Sequence, residues 1–270
     1  MIGITGSPGS GKSTLVDQLA REYRKLQKTV GIVAVDPSSP YTGGAILGDR
    51  IRMQAHHADT GIFIRSMATR GFLGGLARTT ADVATVLDAS GRQIVLVETV
   101  GVGQDEVDIV RLADVTVVIL VPGMGDDVQS IKAGIMEIAD IFVINKSDRE
   151  GADRVEKEVR AMQSLAARED QWAPAIVRTV ATEGKGTAEL VAAIAEYEKH
   201  LDRQDLRLKK KVESWRERLI EMLRGSLLDR VMREQLSEAA LLDFARQVAE
   251  HRRDPYTLVA EIVAGKNPSS

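Results

Sequence analysis

Cysteine is absent from the 270-residue chain. Its absence excludes disulfides, cysteine-ligated zinc, iron–sulfur clusters and thiol nucleophiles, and it fits a reducing compartment. Aromatic residues make up only 4% of the chain, too few for a stacking surface that grips single-stranded nucleic acid or carbohydrate. An excess of one charge is lacking too: 36 Lys and Arg stand against 39 Asp and Glu, a formal −3. Proteins that hold phosphate backbones as their main work carry a positive excess, so no nucleic-acid partner is expected. No apolar run is long enough to span a bilayer. The opening MIGITGSPGSGKST has neither the basic n-region nor the apolar h-region of a signal peptide. The expected location is the cytoplasm, with no membrane partner.

What is present is an ordinary globular composition. At roughly 150 residues per domain, the length suits one large domain, or one domain with an appendage. Short Val- and Ile-rich runs recur at Ile2–Thr5, Val30–Val35, Gly61–Ile64, Ile94–Glu98, Val115–Val121, Ile141–Asn145 and Ala175–Val180. They are nearly uninterrupted, as strands buried on both faces of a mostly parallel sheet are. Helical patterns separate them at Ser13–Leu26, Thr79–Ser90, Glu106–Leu112, Asp126–Ala139, Asp153–Arg168 and Thr187–His200. This alternation predicts an α/β domain over residues 1–200, with helices flanking the central sheet.

Beyond His200 the texture becomes wholly helical: Leu206–Arg224, Leu227–Gln235 and Ser237–Arg252. Asp254 and Pro255 then start a last helix, as cap and first residue. Its apolar stripe of Leu258, Val259, Ile262 and Val263 must meet another chain or pack back on the first domain. Residues 201–270 are read as a helical arm, with dimerisation as the expected role.

Gly6-Ser7-Pro8-Gly9-Ser10-Gly11-Lys12-Ser13 satisfies G-x-x-x-x-G-K-S/T at every fixed position. It follows a strand and opens a helix at Thr14. Its backbone N–H groups would curl around a β-phosphate, aided by the positive end of the helix. Lys12 would bridge the β- and γ-phosphates, and the Ser13 hydroxyl would bind Mg2+.

Glu98 ends the fourth run and is followed by Thr99-Val100-Gly101-Val102-Gly103-Gln104. A carboxylate at a neighbouring strand end can hold the Mg2+ shell, and Gly101 can offer its N–H to a γ-phosphate. The alternative for Glu98 is a surface carboxylate. Asp36 ends the second run before Pro37; it can serve Mg2+ through water, orient the attacking water, or simply form a turn. Asp49 lies in a glycine-rich stretch, where a switch role and a solvated loop stand even. The neighbours His56 and His57 do not face each other on a helix, and are read as ordinary histidines.

Asn145-Lys146-Ser147-Asp148 ends a buried run with N-K-x-D. The Asp148 carboxylate can accept from guanine N1–H and its 2-amino group, whereas adenine offers no such donor pair. Lys146 can lay its aliphatic stem on the base, and Asn145 can tie this loop to the phosphate loop. The backbone of Ala181 and Thr182 can meet guanine O6. GTP and GDP are therefore expected over ATP.

With these motifs in place, the chain resembles the MeaB/ArgK (MMAA-type) family, G-protein chaperones of adenosylcobalamin-dependent acyl-CoA mutases in the SIMIBI branch of P-loop NTPases. The resemblance rests on VDPSSP at Val35–Pro40, Gly43–Arg50, MATRGFLGGLA at Met67–Ala77 and ETVGVGQ at Glu98–Gln104. It extends to VPGMGDDVQSIKAG at Val121–Gly134, NKSD at Asn145–Asp148 and DPYT at Asp254–Thr257. It implies that Asp36, Asp49 and Glu98 surround Mg2+. It implies that Val121–Lys132 is a third switch touching the mutase, with Lys132 reaching the nucleotide only in the partner-bound form. It also implies that the arm makes a homodimer. Longer relatives carry a helical extension ahead of the first strand, and Thr182 stands where many GTPases have a small residue.

Three other functions fit the sequence less well. A nickel-insertion GTPase of the same branch needs a Cys and His cluster, and the chain has no Cys and four His. A P-loop small-molecule kinase does not need N-K-x-D. A protein-targeting GTPase that works with RNA fits poorly with the acidic balance.

Overall fold

The computed structural model describes residues 1–36, 58–68, 78–101, 105–123, 138–165, 170–203 and 205–265. Seven strands are β1 (Ile2–Gly6), β2 (Val30–Asp36), β3 (Ile62–Ala68), β4 (Ile94–Glu98), β5 (Val115–Leu120), β6 (Ile141–Asn145) and β7 (Ala175–Thr179). They form one sheet in the order β3-β2-β4-β1-β5-β6-β7, and every neighbouring pair is parallel. Eight α-helices accompany them among the described residues: α1 (Lys12–Lys25), α2 (Arg78–Ala89), α3 (Asp105–Leu112), α4 (Ala152–Gln163), α5 (Thr187–Arg203), α6 (Leu206–Glu234), α7 (Glu238–Ala249) and α8 (Pro255–Val263).

The uninterrupted apolar runs are explained by burial on both faces. Ile2 and Ile4 of β1, with Val115, Val117 and Ile119 of β5, pack against Leu15, Leu19 and Tyr23 of α1 and Leu190, Ile194 and Tyr197 of α5. The alternate residues Val118 and Leu120, with Phe142 and Ile144, meet Ala152, Val155 and Val159 of α4. Val33, Val95 and Val97 meet Ala84 and Leu87 of α2 and Ile109 of α3. Each fully buried Ile, Leu or Val contributes roughly 1.5–3 kcal/mol, so these layers hold the sheet rigid. Because all strands are parallel, Gly6, Asp36, Glu98 and Asn145 end on one edge. The sheet is built outward from β1 in both directions, and the carboxyl ends beside such a switch point are where α/β sheets bind ligands.

The chain divides into two compact units, Met1–Lys211 and Val212–Ser270. In the first, Lys210 at the base of α6 donates to Asp140 Oδ2 at 2.9 Å and to the Asp114 carbonyl at 2.8 Å. Asp140 is almost fully buried, and its Oδ2 also accepts the Thr116 N–H. A boundary at residue 200 therefore removes the cation from a buried carboxylate. Breaking a buried ion pair costs roughly 3–5 kcal/mol; with the Lys210 side chain 26% exposed, about 2–3 kcal/mol is expected here. A chain ending at His200 should accordingly unfold at lower denaturant than one ending at Lys211. Urea titrations of the two lengths measure this, and equal midpoints would remove Lys210 from the account.

In the second unit, Leu236, Phe244 and Leu258 form a small core with Met232 and Ile262 packed on it. Asp254 caps α8 by accepting the Thr257 N–H at 2.7 Å, and Pro255 is its first residue. The stripe of α8 splits: Leu258 and Ile262 turn inward, whereas Val259 and Val263 stay exposed. The sequence suggested a break near Gly225, yet α6 runs unbroken to Glu234. One interior glycine costs only about 1 kcal/mol, which pairs such as Arg224–Glu221 and Arg230–Glu234 help offset. Conversely, α4 stops at Gln163, short of the expected Arg168. No α6 residue is buried, and Leu208, Val212, Trp215, Leu219 and Met222 recur at alternating spacings of four and three. No helix among the described residues is long and apolar enough to cross a membrane.

Candidate functional site

The loop between β1 and α1 is shaped by its backbone. Gly11 precedes α1 at φ 92, a left-handed conformation that favours glycine, and no side chain caps the helix. No acidic residue lies in the first turn either. The uncapped N–H groups and the helix dipole therefore point at the space above β1, an arrangement that suits an anion. A Cβ on Gly11 would also collide with Asn145 Nδ2.

Lys12 is almost fully buried, and its ammonium donates to the carbonyls of Gly6 (2.7 Å) and Ser7 (3.1 Å). Ser13 Oγ donates to Glu98 Oε1 at 2.6 Å, and Glu98 is only 3% exposed. A hydroxyl and a buried carboxylate this close form an all-oxygen donor set, the type that hard divalent cations such as Mg2+ take. Just beyond, Thr99 N–H donates to the Ile4 carbonyl at 3.1 Å and Thr99 Oγ1 to Thr5 Oγ1 at 3.0 Å, which staples the segment after β4 to β1. Gly101 follows at φ 83, so close that a Cβ would overlap the Gly6 carbonyl oxygen and crowd Lys12 Nζ.

Asn145 joins the two halves of the site. Its Nδ2 donates to the Ser10 carbonyl at 2.8 Å, and its Oδ1 accepts from Thr179 Oγ1 (3.0 Å) and the Ala181 N–H (3.1 Å). Lys146 reaches over to the Gly9 carbonyl at 2.7 Å. These contacts wall a recess of about 140 Å³ whose lining includes Gly11, Thr14, Asn145, Lys146, Asp148 and Arg149, together with Val180, Ala181 and Thr182 from the segment after β7. Asp148 is exposed into it. On the outer side, Glu183 bonds Lys185 at 2.6 Å and holds that ammonium above its ordinary range, with a smaller contribution from Asp148.

The structure thus brings Ser7, Gly9, Ser10, Gly11, Lys12, Ser13, Thr14, Glu98, Gly101, Asn145, Lys146, Asp148, Ala181 and Thr182 to one edge of the sheet. The backbone of Asp36 ends β2 on that edge, two residues beyond the Ala34–Glu98 pairing; its side chain is not among those described. Asp49, His56, His57, Asp127 and Lys132 lie outside the described residues, as does most of the expected helix Asp126–Ala139. Sequence reasoning passed over Thr179 and Ser147. Their signal was present, as hydroxyl residues at the end of a strand and inside N-K-x-D, but nothing local says that they meet.

A family model described as methylmalonyl Co-A mutase-associated GTPase MeaB matches residues 1–236. A protein of Pyrococcus abyssi named as a GTPase is 50% identical over 272 residues, covering 98% of this chain and 84% of the relative. GTPase ArgK of Escherichia coli is 38% identical over 200 residues, 73% of this chain and 60% of its own. The methylmalonic aciduria type A homolog of Mus musculus, a mitochondrial protein, is 38% identical over 201 residues, 73% of this chain and 48% of its own. Among solved structures, an LAO/AO transport system kinase superposes with a TM-score of 0.68 at 24% identity, covering 97% of this chain and 79% of the other. At that identity it shows the fold alone. A phosphate loop, a base recess walled by N-K-x-D, and a family match across most of the length converge on one assignment: the chain belongs to the MeaB family of methylmalonyl-CoA mutase-associated P-loop GTPases.

Proposed function

We propose that this protein is a GTP-driven chaperone that gates adenosylcobalamin loading, protection and reactivation of a cobalamin-dependent acyl-CoA mutase of the methylmalonyl-CoA type, in the cytoplasm. The observation that carries it is the Asn145 bridge, which makes one rigid unit of the phosphate loop and the base recess. In this reading Asp148 accepts from the guanine edge while Ala181 and Thr182 present their backbone to O6. The uncapped first turn of α1 holds the β-phosphate, with Ser7, Gly9, Ser10 and Gly11 wrapping it. Lys12 leaves the loop carbonyls for the β- and γ-phosphate oxygens, and Gly101 offers its N–H to the γ-phosphate. Ser13 and Glu98, joined by Asp36 and Asp49, would hold Mg2+, which neutralises charge on the transferring phosphoryl group. Asp36 would also orient the attacking water.

Residues Val121–Lys132 are proposed to move with nucleotide state and to touch the mutase, with Lys132 reaching the nucleotide in the complex. Because a client that favours one arrangement of this segment alters the nucleotide site, linkage requires GTP to alter client affinity in return. The exposed seam of α6, spaced four and three as in a coiled coil, together with the small core of residues 212–270, supports a homodimer through the arm.

Alone, the protein should hydrolyse GTP at the roughly 10⁻⁴–10⁻³ s⁻¹ of unassisted GTPases. A cobalamin-dependent mutase should accelerate it, and binding of that mutase should differ between GTP and GDP. Asp127→Ala should reduce the acceleration. Phosphate-release assays with and without candidate mutases test this. If none binds or changes the rate, the protein is a GTPase with another client.

A further inference from the structure

Lys146 sits at φ 56, in the left-handed region that an L residue enters only at a cost in free energy. Such a conformation persists where its surroundings over-determine it. Both neighbours of Lys146 are fastened to the end of β7. On one side, Asn145 Oδ1 accepts from Thr179 Oγ1 and from the Ala181 N–H. On the other, the Thr179 carbonyl accepts twice from Ser147, from its N–H and from its Oγ, each at 3.1 Å. Thr179 is almost fully buried, so the anchor itself is rigid. The turn is then closed by the Arg149 N–H on the Lys146 carbonyl at 3.0 Å.

Ser147 does not line the recess, although Asn145, Lys146, Asp148 and Arg149 all do. Its hydroxyl faces β7 rather than the space a base would take. Any influence on a nucleotide must pass through the next residue, Asp148. Two parallel hydrogen bonds to a guanine edge demand a fixed carboxylate plane, more than a single bond does. A hydroxyl that locks the preceding residue on both its N–H and its side chain supplies that fixity.

We propose that Ser147 is a positioning residue for guanine selectivity, its hydroxyl aiming the Asp148 carboxylate by binding the Thr179 carbonyl. The proposal rests on the reading of Asp148 as the guanine acceptor. It assigns a task to the variable position of N-K-x-D in this chain: selectivity for the 2-amino group, rather than overall affinity for nucleotide.

The test uses calorimetry on the full chain with GTP and ITP, which lacks the 2-amino group. Ser147→Ala deletes one of the two bonds to Thr179 and keeps the backbone one. It should lower the GTP-over-ITP affinity ratio roughly threefold to tenfold, the worth of one modest hydrogen bond. Ser147→Thr keeps the hydroxyl and should restore the ratio. In the Asp148→Asn background, Ser147→Ala should leave the ratio where it is, since the group it acts through is gone. Equal weakening of GTP and ITP, or a lower melting temperature with an unchanged ratio, overturns the proposal and leaves Ser147 as a structural residue. If Asp148→Asn itself does not alter the native ratio, Asp148 does not read guanine, and that reading fails together with this one.

Discussion

Lys12→Ala should lower GTP turnover at saturating nucleotide by roughly a thousandfold, the upper end of what removing one preorganised donor costs. Lys12 is held almost out of solvent at the Gly6 and Ser7 carbonyls, so its charge is kept within the phosphate loop and has only to turn from these carbonyls to the phosphate oxygens. Charge builds on the transferring phosphoryl group during hydrolysis, and a cation in a water-poor loop is worth most at that moment. The loss should not be one of folding. Alanine removes hydrogen bonds worth about 1 kcal/mol each, a small loss beside the expected effect on turnover. Lys12→Arg should not rescue, because the broad guanidinium fork does not fit where a compact ammonium sits between two carbonyls. Single-turnover phosphate release, set beside a thermal melt, separates the two effects. Turnover within tenfold of the native rate would mean that Lys12 does not act on the reacting phosphate.

Gly101→Ala should be severely damaging for a change of a single hydrogen to a methyl group. The residue sits at φ 83, where a side chain is strained whatever the space. The added carbon would also overlap the Gly6 carbonyl oxygen, a backbone atom that cannot swing aside, and press on Lys12 Nζ. Either the segment after β4 withdraws from β1, breaking the Thr99–Ile4 and Thr99–Thr5 bonds, or the phosphate loop deforms. Stability should fall by about 2–4 kcal/mol, from strain and overpacking together. Turnover should drop about a hundredfold beyond any loss of folded protein, as expected when a reacting geometry is displaced by about 1 Å. Binding of GDP, which has no γ-phosphate, should suffer less than binding of a non-hydrolysable GTP analogue. Equal losses for both would indicate that Gly101 supports the loop as a whole and does not sense the γ-phosphate.

Much of this site could be read directly along the chain. Gly6–Ser13 and Asn145–Asp148 are short contiguous motifs, and each carries its own chemistry in its spacing. The five inner strands were legible because burial on both faces leaves Val and Ile runs with no polar alternation, whereas the edge strands β3 and β7 also carry exposed residues such as Phe63 and Arg178. Helix ends were less so. The continuation of α6 through Gly225 and the early stop of α4 depend on a few tenths to one kcal/mol per residue, which nearby ion pairs or tertiary contacts can reverse.

The sequence by itself therefore determined the fold class, the phosphate loop and the preference for guanine nucleotides, since those reside in local periodicity and in motifs a few residues long. Only the tertiary structure decided which distant groups meet. Asn145 finds the Ser10 carbonyl across 135 residues, and Lys210 finds Asp140 across 70, moving the base of α6 into the first unit. Ser147 and Thr179, whose meeting nothing local announces, become a clamp because β6 and β7 are adjacent and in register, with Asn145 paired to Thr179. In α8, whether an apolar residue turned inward or outward was settled the same way: Leu258 and Ile262 found Phe244 and Leu236 beneath them, and Val259 and Val263 found water. The physical reason is common to all four. A side chain's partner is set by the packing of whole elements, and sequence spacing describes only the element to which the side chain belongs.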